Sequence, residues 1–163
     1  MKNISNIALI GSSSYEFIAG GTGSGDVEEA YSIALDDALT KNGFEINDVA
    51  LNEYFIQNAK NLKDKEGDTE IPGAIGVAMS MMNPYTPIKI NYSTELLNQI
   101  SAASDIAIVT IGRNSGESSD RVLDDDFLLS KKEEQMIKKT CDVFHSKGKK
   151  VIVSIFINPK QFN

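Results

Sequence analysis

The sequence contains few of the residues that build disulfide or metal frameworks. Its 163 residues include one cysteine, Cys141, one histidine, His145, and no tryptophan. A single cysteine excludes an intrachain disulfide, and one cysteine with one histidine cannot supply the ligands of a structural zinc site. We therefore predict a domain without disulfides, bound metal or cofactor.

Long apolar runs and clusters of positive charge are also missing. The first apolar run covers only residues 4–10, which is too short for a signal-peptide core or a membrane span. Acidic residues outnumber basic ones by 23 to 16, and the formal net charge is −7. This balance disfavours nucleic acid, because phosphate contacts need clustered lysine and arginine. We expect a cytoplasmic protein with neither nucleic acid nor a membrane as its partner.

The composition is typical of a folded domain. Hydrophobic residues make up 41% of the chain, close to the usual fraction in soluble globular proteins, and its length suits one domain. We therefore expect a single domain over residues 1–163. Because the sequence ends just after a strongly apolar run at 151–157, we also expect a fragment of a larger protein.

Three apolar runs predict β-strands at about 4–10, 105–111 and 150–157. Their near-continuous apolar character is typical of parallel strands that are covered on both faces, so we expect them to be neighbours in the core. Helical patterns alternate with these strands. Together they predict an α/β fold, a three-layer α/β/α sandwich with a mainly parallel sheet.

Apolar residues at three- and four-residue spacing predict three helices, each preceded by a capping residue. The first runs over about 26–39, the second over 93–103 and the third from 130 to a glycine stop at 148. Between them, the stretch 45–92 has only weak helical periodicity. Its charged part, 60–70, is predicted to be a solvated loop.

Two loops after strands could carry chemistry, because open α/β sheets bind ligands beyond the carboxyl ends of their strands. The first, GGTGSG at 20–25, precedes a predicted helix whose free N–H groups could receive an anion or a hydroxyl-rich ligand. It lacks the phosphate-loop signature and the tight glycine turn of a dinucleotide fold. The residues alone leave open whether this loop binds a ligand or is only a flexible connection.

The second loop, GRNSGESSDR at 112–121, combines two acidic residues with two arginines. Glu117 follows a glycine and precedes two serines, so the backbone can project its carboxylate; a solvated surface carboxylate is the alternative. Asp120 and Arg121 could form an ion pair that anchors the loop.

Other chemistry-bearing residues have simpler interpretations. The aspartates at 124–126 lack the alternating ligands of a calcium loop and fit a solvated approach to a helix N-terminus. Cys141 and His145 are four residues apart on one helix but adjoin neither loop. We interpret them as packing and C-terminal charge rather than a catalytic pair.

Five patches of sequence occur in the order found in one enzyme family: residues 6–11, 20–27, 104–121, 127–130 and 149–153. Together they resemble the second, α/β sandwich domain of glycoside hydrolase family 3, which includes β-glucosidases and β-xylosidases. The most specific element is the sequence Gly-Glu-x-x-Asp-Arg at 116–121.

The resemblance implies part of a retaining β-glycosidase, β-glucosidase-like, that hydrolyses O-glycosidic bonds of a carbohydrate substrate. A TIM-barrel domain, absent from this chain, would supply the nucleophile, and Glu117 matches the acid/base glutamate. A retaining enzyme needs this second carboxylate first to protonate the glycosidic oxygen and then to activate water. The resemblance also implies substrate contacts by Gly23, Ser24, Arg113, Asp120 and Arg121.

A second hypothesis belongs to a different class, a stand-alone α/β module that binds a phosphate or nucleotide through the loop at 20–25. The glycosidase hypothesis predicts one cleft shared by Glu117 and this loop, whereas the binding-module hypothesis predicts a pocket lined by the loop alone. Because the sequence offers one plausible member of the retaining pair, we expect the isolated chain to be inactive.

Overall fold

The computed structural model describes residues 4–16, 31–66, 87–113 and 123–157. Within these ranges, one sheet contains four strands: β1 (Asn6–Ile10), β2 (Glu45–Ile46), β3 (Ile106–Arg113) and β4 (Lys150–Ile157). Their order is β2-β1-β3-β4, and every neighbouring pair is parallel. The three strands predicted from apolar runs are therefore adjacent, as expected.

Helices connect and cover these strands. They are α1 (Leu35–Lys41), α2 (Asp48–Glu66), α3 (Thr94–Ala103) and α4 (Lys131–Ser146), with a 3₁₀ turn at Ser12–Ser14 and a π-helical turn at Leu123–Phe127. Across the described ranges, no helix is both long and apolar enough to span a membrane.

Alternating side chains of the strands build two apolar cores. Ala8 and Ile10 pack on one face of the sheet with residues of α2, α3 and α4. Ile7 and Leu9 pack on the opposite face with residues of α1. Burying each large apolar side chain stabilises the fold by about 1.5–3 kcal/mol. Helices on both faces of a parallel sheet confirm the three-layer α/β/α sandwich.

The predicted caps of α3 and α4 are confirmed. The Ser93 hydroxyl accepts a hydrogen bond from the backbone N–H of Leu96 at the start of α3. Ser130 and Glu133 form a reciprocal capping box at the start of α4. At the other end of α4, Gly148 has a φ of 68°, a left-handed conformation that suits the predicted glycine stop.

The helix predicted at 26–39 is wrong in its first described part. Residues 31–34 are not helical, and α1 begins at Leu35, after Ala34 in an extended conformation without a side-chain cap. Tyr31 is 77% exposed, so its side chain makes no core contact that would stabilise a helix there. Leu35 and Leu39, one turn apart, do pack against the sheet. The predicted cap, Asp26, lies outside the described residues.

The stretch 45–92 contains more regular structure than its periodicity indicates. Glu45 and Ile46 form the short strand β2, which was not predicted. The solvated loop predicted at 60–70 is wrong up to Glu66, because α2 continues to that residue. Residues 60–66 lack glycine and proline and include three lysines, a leucine and a glutamate, so high helix propensity prevails over their charge.

β4 differs from the expected strand that is covered on both faces. It pairs with β3 along its whole length, but among the described residues it is the last strand of the sheet. Ile152, Val153 and Ile155 are 49%, 43% and 52% exposed, and they lie on both faces of the strand. Its apolar sequence therefore reflects an exposed apolar surface as well as a core.

Candidate functional site

The chain reverses direction across the sheet between β1 and β3. After β1 it passes through α1 to β2 on one side, and after β3 it passes through α4 to β4 on the other. Adjacent strands whose connections leave in opposite directions create a crevice at their carboxyl ends, where open α/β sheets bind ligands. Both loops singled out from the sequence follow these two strands. The candidate site is therefore the carboxyl end of β1 and β3.

The turn after β1 packs directly against β3. The hydroxyl oxygens of Ser14 and Thr110 are 2.8 Å apart and share a hydrogen bond. Between them, Gly11 has a φ of 105°, and a Cβ there would lie 2.3 Å from the Thr110 carbonyl oxygen. Glycine is required at this position for both reasons. Ser14 is fully buried, so this serine has a structural role.

Residues 88–92 also contact the turn after β1. The Ser12 hydroxyl donates to the Ile88 carbonyl oxygen at 2.9 Å. The Gly11 N–H donates to the hydroxyl oxygen of Tyr92 at 3.1 Å. Burial raises the pKa of Tyr92 well above its usual value, so this hydroxyl stays neutral. These contacts fix the backbone where β1 ends.

Two tyrosines and a glutamate extend this region towards α2. The rings of Tyr15 and Tyr54 stack with centroids 4.4 Å apart. The Tyr54 hydroxyl donates to Glu16 Oε1 at 2.7 Å. Burial is the main cause that raises the pKa of Tyr54, and the hydrogen bond to Glu16 is the next. Tyr54 is therefore a neutral hydrogen-bond donor. This cluster joins the turn after β1 to the second turn of α2.

Arg113, the last residue of β3, forms an ion pair with Glu133 in the first turn of α4. Its Nη1 donates to Glu133 Oε1 at 2.6 Å, and its Nη2 donates to Oε2 at 2.8 Å. The two side chains are only 11% and 13% exposed. Arg113 also donates to the carbonyl oxygens of Gly112 at 3.1 Å and Leu128 at 3.5 Å. This two-point contact joins the end of β3 to the start of α4.

Glu133 is held by a second set of donors. Its Oε2 accepts hydrogen bonds from the backbone N–H and the hydroxyl of Ser130, at 2.8 and 2.9 Å. Burial alone would raise the pKa of Glu133, but the hydrogen bonds from Arg113 and Ser130 outweigh it and hold that pKa below its usual value. Glu133 is therefore an anion with a structural position, not a proton donor at neutral pH.

Of the six residues predicted to form the site, the structure describes Arg113. The remaining five lie outside the described residues: Gly23, Ser24, Glu117, Asp120 and Arg121. In the sequence, the segment with Gly23 and Ser24 follows β1, and the segment with the other three residues follows β3. The structure therefore brings together the strand ends that precede both segments, and the roles of these residues stay predictions.

Sequence reasoning identified Ser130 but missed Glu133 and Tyr92. The spacing Ser-x-x-Glu before an apolar helix is a capping-box signature and could have identified Glu133. Tyr92 has no comparable signal, because its partner is a backbone group 81 residues away. Among the described residues, no group of three or more histidine, cysteine, aspartate or glutamate side chains is placed to hold a metal ion.

Cys141 and His145 lie on α4, which begins beside the carboxyl end of β3 and ends just before β4. Both residues are in its last two turns, away from the candidate site. Cys141 is half-buried and His145 is exposed. This placement agrees with the packing role inferred for Cys141, and His145 is the basic residue in the last turn of the helix, as inferred from the sequence.

The fold and the arrangement of strand ends agree with one family of carbohydrate-active enzymes. Residues 1–160 match the family model described as the glycosyl hydrolase family 3 C-terminal domain, and the chain belongs to that family. No protein with a curated description has significant sequence similarity to the chain.

Solved structures of β-glucosidases share this fold. β-Glucosidase 3B from Thermotoga neapolitana in complex with glucose is 31% identical, with a TM-score of 0.74 over 95% of this chain. The structure of the same enzyme in complex with α-D-glucose is 31% identical in sequence, with a TM-score of 0.73. A β-glucosidase from Paenibacillus barengoltzii, 22% identical over 94% of this chain, shares the fold with a TM-score of 0.72. This chain spans 20% of the first enzyme's length and 15% of the last one's.

Proposed function

We propose that this chain is the active-site-completing domain of a retaining β-glycosidase of the β-glucosidase type, with Glu117 as its acid/base residue. One structural observation supports this most directly: β3 pairs with β1, contacts the turn after β1 through Gly112, and ends at Arg113, where the sheet connections diverge. The segment that carries Glu117 therefore starts where α/β folds bind their ligands. Membership of the family supports glycoside hydrolysis as the reaction class.

The proposed reaction needs two carboxyl groups about 5–5.5 Å apart. Glu117 protonates the glycosidic oxygen as the first bond breaks, and a nucleophilic carboxylate forms a covalent bond to the sugar. Glu117 then removes a proton from the water that hydrolyses this intermediate. The nucleophile comes from a TIM-barrel domain elsewhere in the full protein, and the reaction uses no cofactor.

The substrate contacts are part of the same proposal. Gly23 and Ser24 lie in the segment after β1, whereas Asp120 and Arg121 lie in the segment after β3. β1 and β3 are neighbours, and Gly112 of β3 approaches the turn after β1, so the described residues that precede the two segments lie close together, which supports a shared cleft. The alternative, a phosphate- or nucleotide-binding module, is not favoured by the family match.

The test uses the full-length protein and a series of aryl β-glucosides with increasingly poor leaving groups. Glu117→Ala should slow hydrolysis by about 10²–10⁴-fold for poor leaving groups, because positioned proton transfer contributes that much. Activated leaving groups need little protonation and should be affected less at the bond-breaking step. Azide, which needs no general base, should restore turnover and yield a glycosyl azide of retained configuration.

Equal losses across the leaving-group series, without rescue by azide, would remove Glu117 from the acid/base role. The purified 163-residue chain provides a separate check, because it should hydrolyse none of these substrates. Turnover that a covalent glycosidase inactivator abolishes would reveal a nucleophile within this chain and contradict the proposed division of labour.

A further inference from the structure

The turn after β1 contains three consecutive serines, and the fold uses the hydroxyl groups of two of them. The Ser12 hydroxyl donates to the Ile88 carbonyl oxygen at 2.9 Å. The Ser14 hydroxyl shares a hydrogen bond of 2.8 Å with Thr110. The hydroxyl of the middle serine, Ser13, forms no hydrogen bond within the described part of the chain. The three serines are therefore not equivalent.

The Ser13 hydroxyl is almost closed off from solvent, although it is not fully enclosed. The residue is only 4% exposed. Across the described ranges, the side-chain oxygens that are fully enclosed without a partner belong to Asn6, Glu16 and Asp36, and Ser13 Oγ is not one of them. Part of the small exposed area of Ser13 is therefore its hydroxyl oxygen. A nearly buried hydroxyl without a partner is unfavourable and calls for an explanation, such as a ligand that completes its hydrogen bonds.

This hydroxyl lies at the candidate site. It lies beside the position where a Cβ atom of Gly112 would project, and the Pro87 ring lies 3.3 Å from the same position. Gly112 is the penultimate residue of β3, and Ser13 belongs to the turn that follows β1. The hydroxyl is therefore between the carboxyl ends of two neighbouring parallel strands, where the connections diverge and α/β folds bind ligands.

We propose that the Ser13 hydroxyl is a binding group for a neutral, hydroxyl-bearing ligand, and that in the full protein it forms a hydrogen bond with one hydroxyl group of the carbohydrate substrate. The assignment to carbohydrate rests on the proposed function. Ser13 takes no part in proton transfer. It adds a binding residue to the site that the sequence predicted, which did not include it.

The surroundings of Ser13 suit a neutral ligand. A serine hydroxyl both donates and accepts hydrogen bonds, as a sugar hydroxyl does. Its neighbours Gly112 and Pro87 are uncharged. The next residue of β3, Arg113, projects from the opposite face of the strand and pairs with Glu133. An anion such as phosphate is usually bound by cationic side chains or by several N–H donors, so a single hydroxyl favours an uncharged partner.

A hydroxyl in such a closed position affects selectivity more than total affinity. One neutral hydrogen bond contributes modestly to binding, because it replaces a bond with water. A ligand that lacks the matching hydroxyl group leaves Ser13 unpaired, however, and this loss falls on that ligand alone. The expected signature is a change in discrimination between sugars that differ by one hydroxyl group.

The first experiment asks whether the fold uses the hydroxyl, and it needs no enzymatic activity. Ser13→Ala in the 163-residue chain should leave the urea midpoint of unfolding unchanged or raise it, because it removes a group without a partner. Ser12→Ala is the matched control and should lower the midpoint, because it deprives the Ile88 carbonyl oxygen of its donor. A decrease in Ser13→Ala as large as that in Ser12→Ala would overturn the proposal.

The second experiment measures competitive inhibition of the full-length protein by glucose and by the monodeoxy forms of glucose, each of which lacks one hydroxyl group. For each deoxy sugar, the ratio of its inhibition constant to that of glucose reports how strongly the missing group is recognised. In Ser13→Ala, one of these ratios should fall by about 3–10-fold, the equivalent of one neutral hydrogen bond, and the others should stay as in the wild type. Ser12→Ala should preserve every ratio.

The outcomes separate this inference from the proposed function. Inhibition by glucose with every ratio unchanged in Ser13→Ala would overturn the contact and leave the glycosidase proposal intact. Equal weakening of all the sugars would also overturn it, because it would indicate a disturbed turn rather than a lost hydrogen bond. A wild type that neither hydrolyses β-glucosides nor binds glucose would contradict the proposed function, and the carbohydrate contact with it.

Discussion

A Cβ atom at Gly112 would lie 2.4 Å from the hydroxyl oxygen of Ser13. Gly112 is the penultimate residue of β3, and Ser13 is the middle residue of the turn after β1, so the two strand ends meet at this contact. A side chain at position 112 would require the Ser13 hydroxyl to move, and the Ser13 Cβ and the Pro87 ring, both at 3.3 Å, leave little further room. The close approach therefore explains why glycine stands immediately before Arg113.

Gly112→Ala should lower the free energy of unfolding by about 1–3 kcal/mol, the usual cost of an extra methyl group in a close-packed site. Ser13→Ala in the same chain removes the closest atom and should recover part of the loss, since the Ser13 Cβ and the Pro87 ring remain 3.3 Å from the added methyl group. Urea denaturation of the two single variants and the double variant measures this coupling. Additive effects would contradict the contact.

Glu133 should contribute stability that depends on pH. Its pKa is lower in the folded chain than in the unfolded one, so its contribution is present above the unfolded pKa of about 4.3 and is lost as the pH falls through the folded pKa. Glu133→Gln should therefore cost about 1.5–3 kcal/mol at pH 7, the range for hydrogen bonds to charged groups. The difference in unfolding free energy between the wild type and Glu133→Gln should become smaller as the pH falls through the pKa of Glu133 in the folded chain.

Denaturation of the wild type, Glu133→Gln and Glu134→Gln across this pH range tests the sign. Glu134 is exposed in the same helical turn, so its variant controls for the loss of one negative charge near the N-terminus of α4. A Glu133→Gln effect that persists undiminished in acid would show that the lost stability does not come from the ionised carboxylate.

Much of the sheet could be predicted because its signals are local. β1 and β3 are apolar runs bounded by polar residues and glycine, and the Ser130 cap is encoded within four residues. The bounds of α1 and α2 were harder to predict from the sequence. The start of α1, for example, depends on which side chains reach the sheet. The two-residue strand β2 is too short to carry a periodic signal.

The candidate site could be predicted only in part from the sequence. The loops after β1 and β3 could be singled out, since ligands in α/β folds bind beyond strand ends. The partner of Arg113 could not be assigned from the loop alone, because Glu133 is 20 residues away and approaches only when α4 packs on the sheet. Long-range polar contacts of this kind depend on tertiary structure.

Asn47 should be sensitive to the loss of its amide donor. The side chain is 1% exposed; its Nδ2 donates to the Ile100 carbonyl oxygen and the Ser104 hydroxyl, and its Oδ1 accepts from the Ala50 N–H. Asn47→Asp would place a carboxylate oxygen against the Ile100 carbonyl oxygen, and the Ser104 hydroxyl could donate to it only by giving up its own hydrogen bond to that carbonyl, at a cost of about 1–3 kcal/mol or more at pH 7.

Burial should raise the pKa of this new carboxyl group, so the variant should lose stability as the pH rises from the unfolded value of about 3.9 through the folded pKa. Asn47→Ala carries no titrating group, and its loss relative to wild type should be independent of pH. Thermal or urea denaturation from acid to neutral pH distinguishes the two. An equal, pH-independent loss in both variants would contradict a buried carboxylate at position 47.

The exposed apolar side chains of β4, the last strand of the sheet among the described residues, should promote association of the isolated chain, because exposed apolar patches favour contacts between molecules. Ile155 is 52% exposed, and Ile155→Lys should reduce self-association with a change in unfolding free energy within about 0.5 kcal/mol. Ile4→Lys is the matched control, since Ile4 is 41% exposed but lies outside β4. Sedimentation over a range of concentrations compares the three proteins. Equal relief of association by both substitutions would assign the effect to net charge rather than to β4.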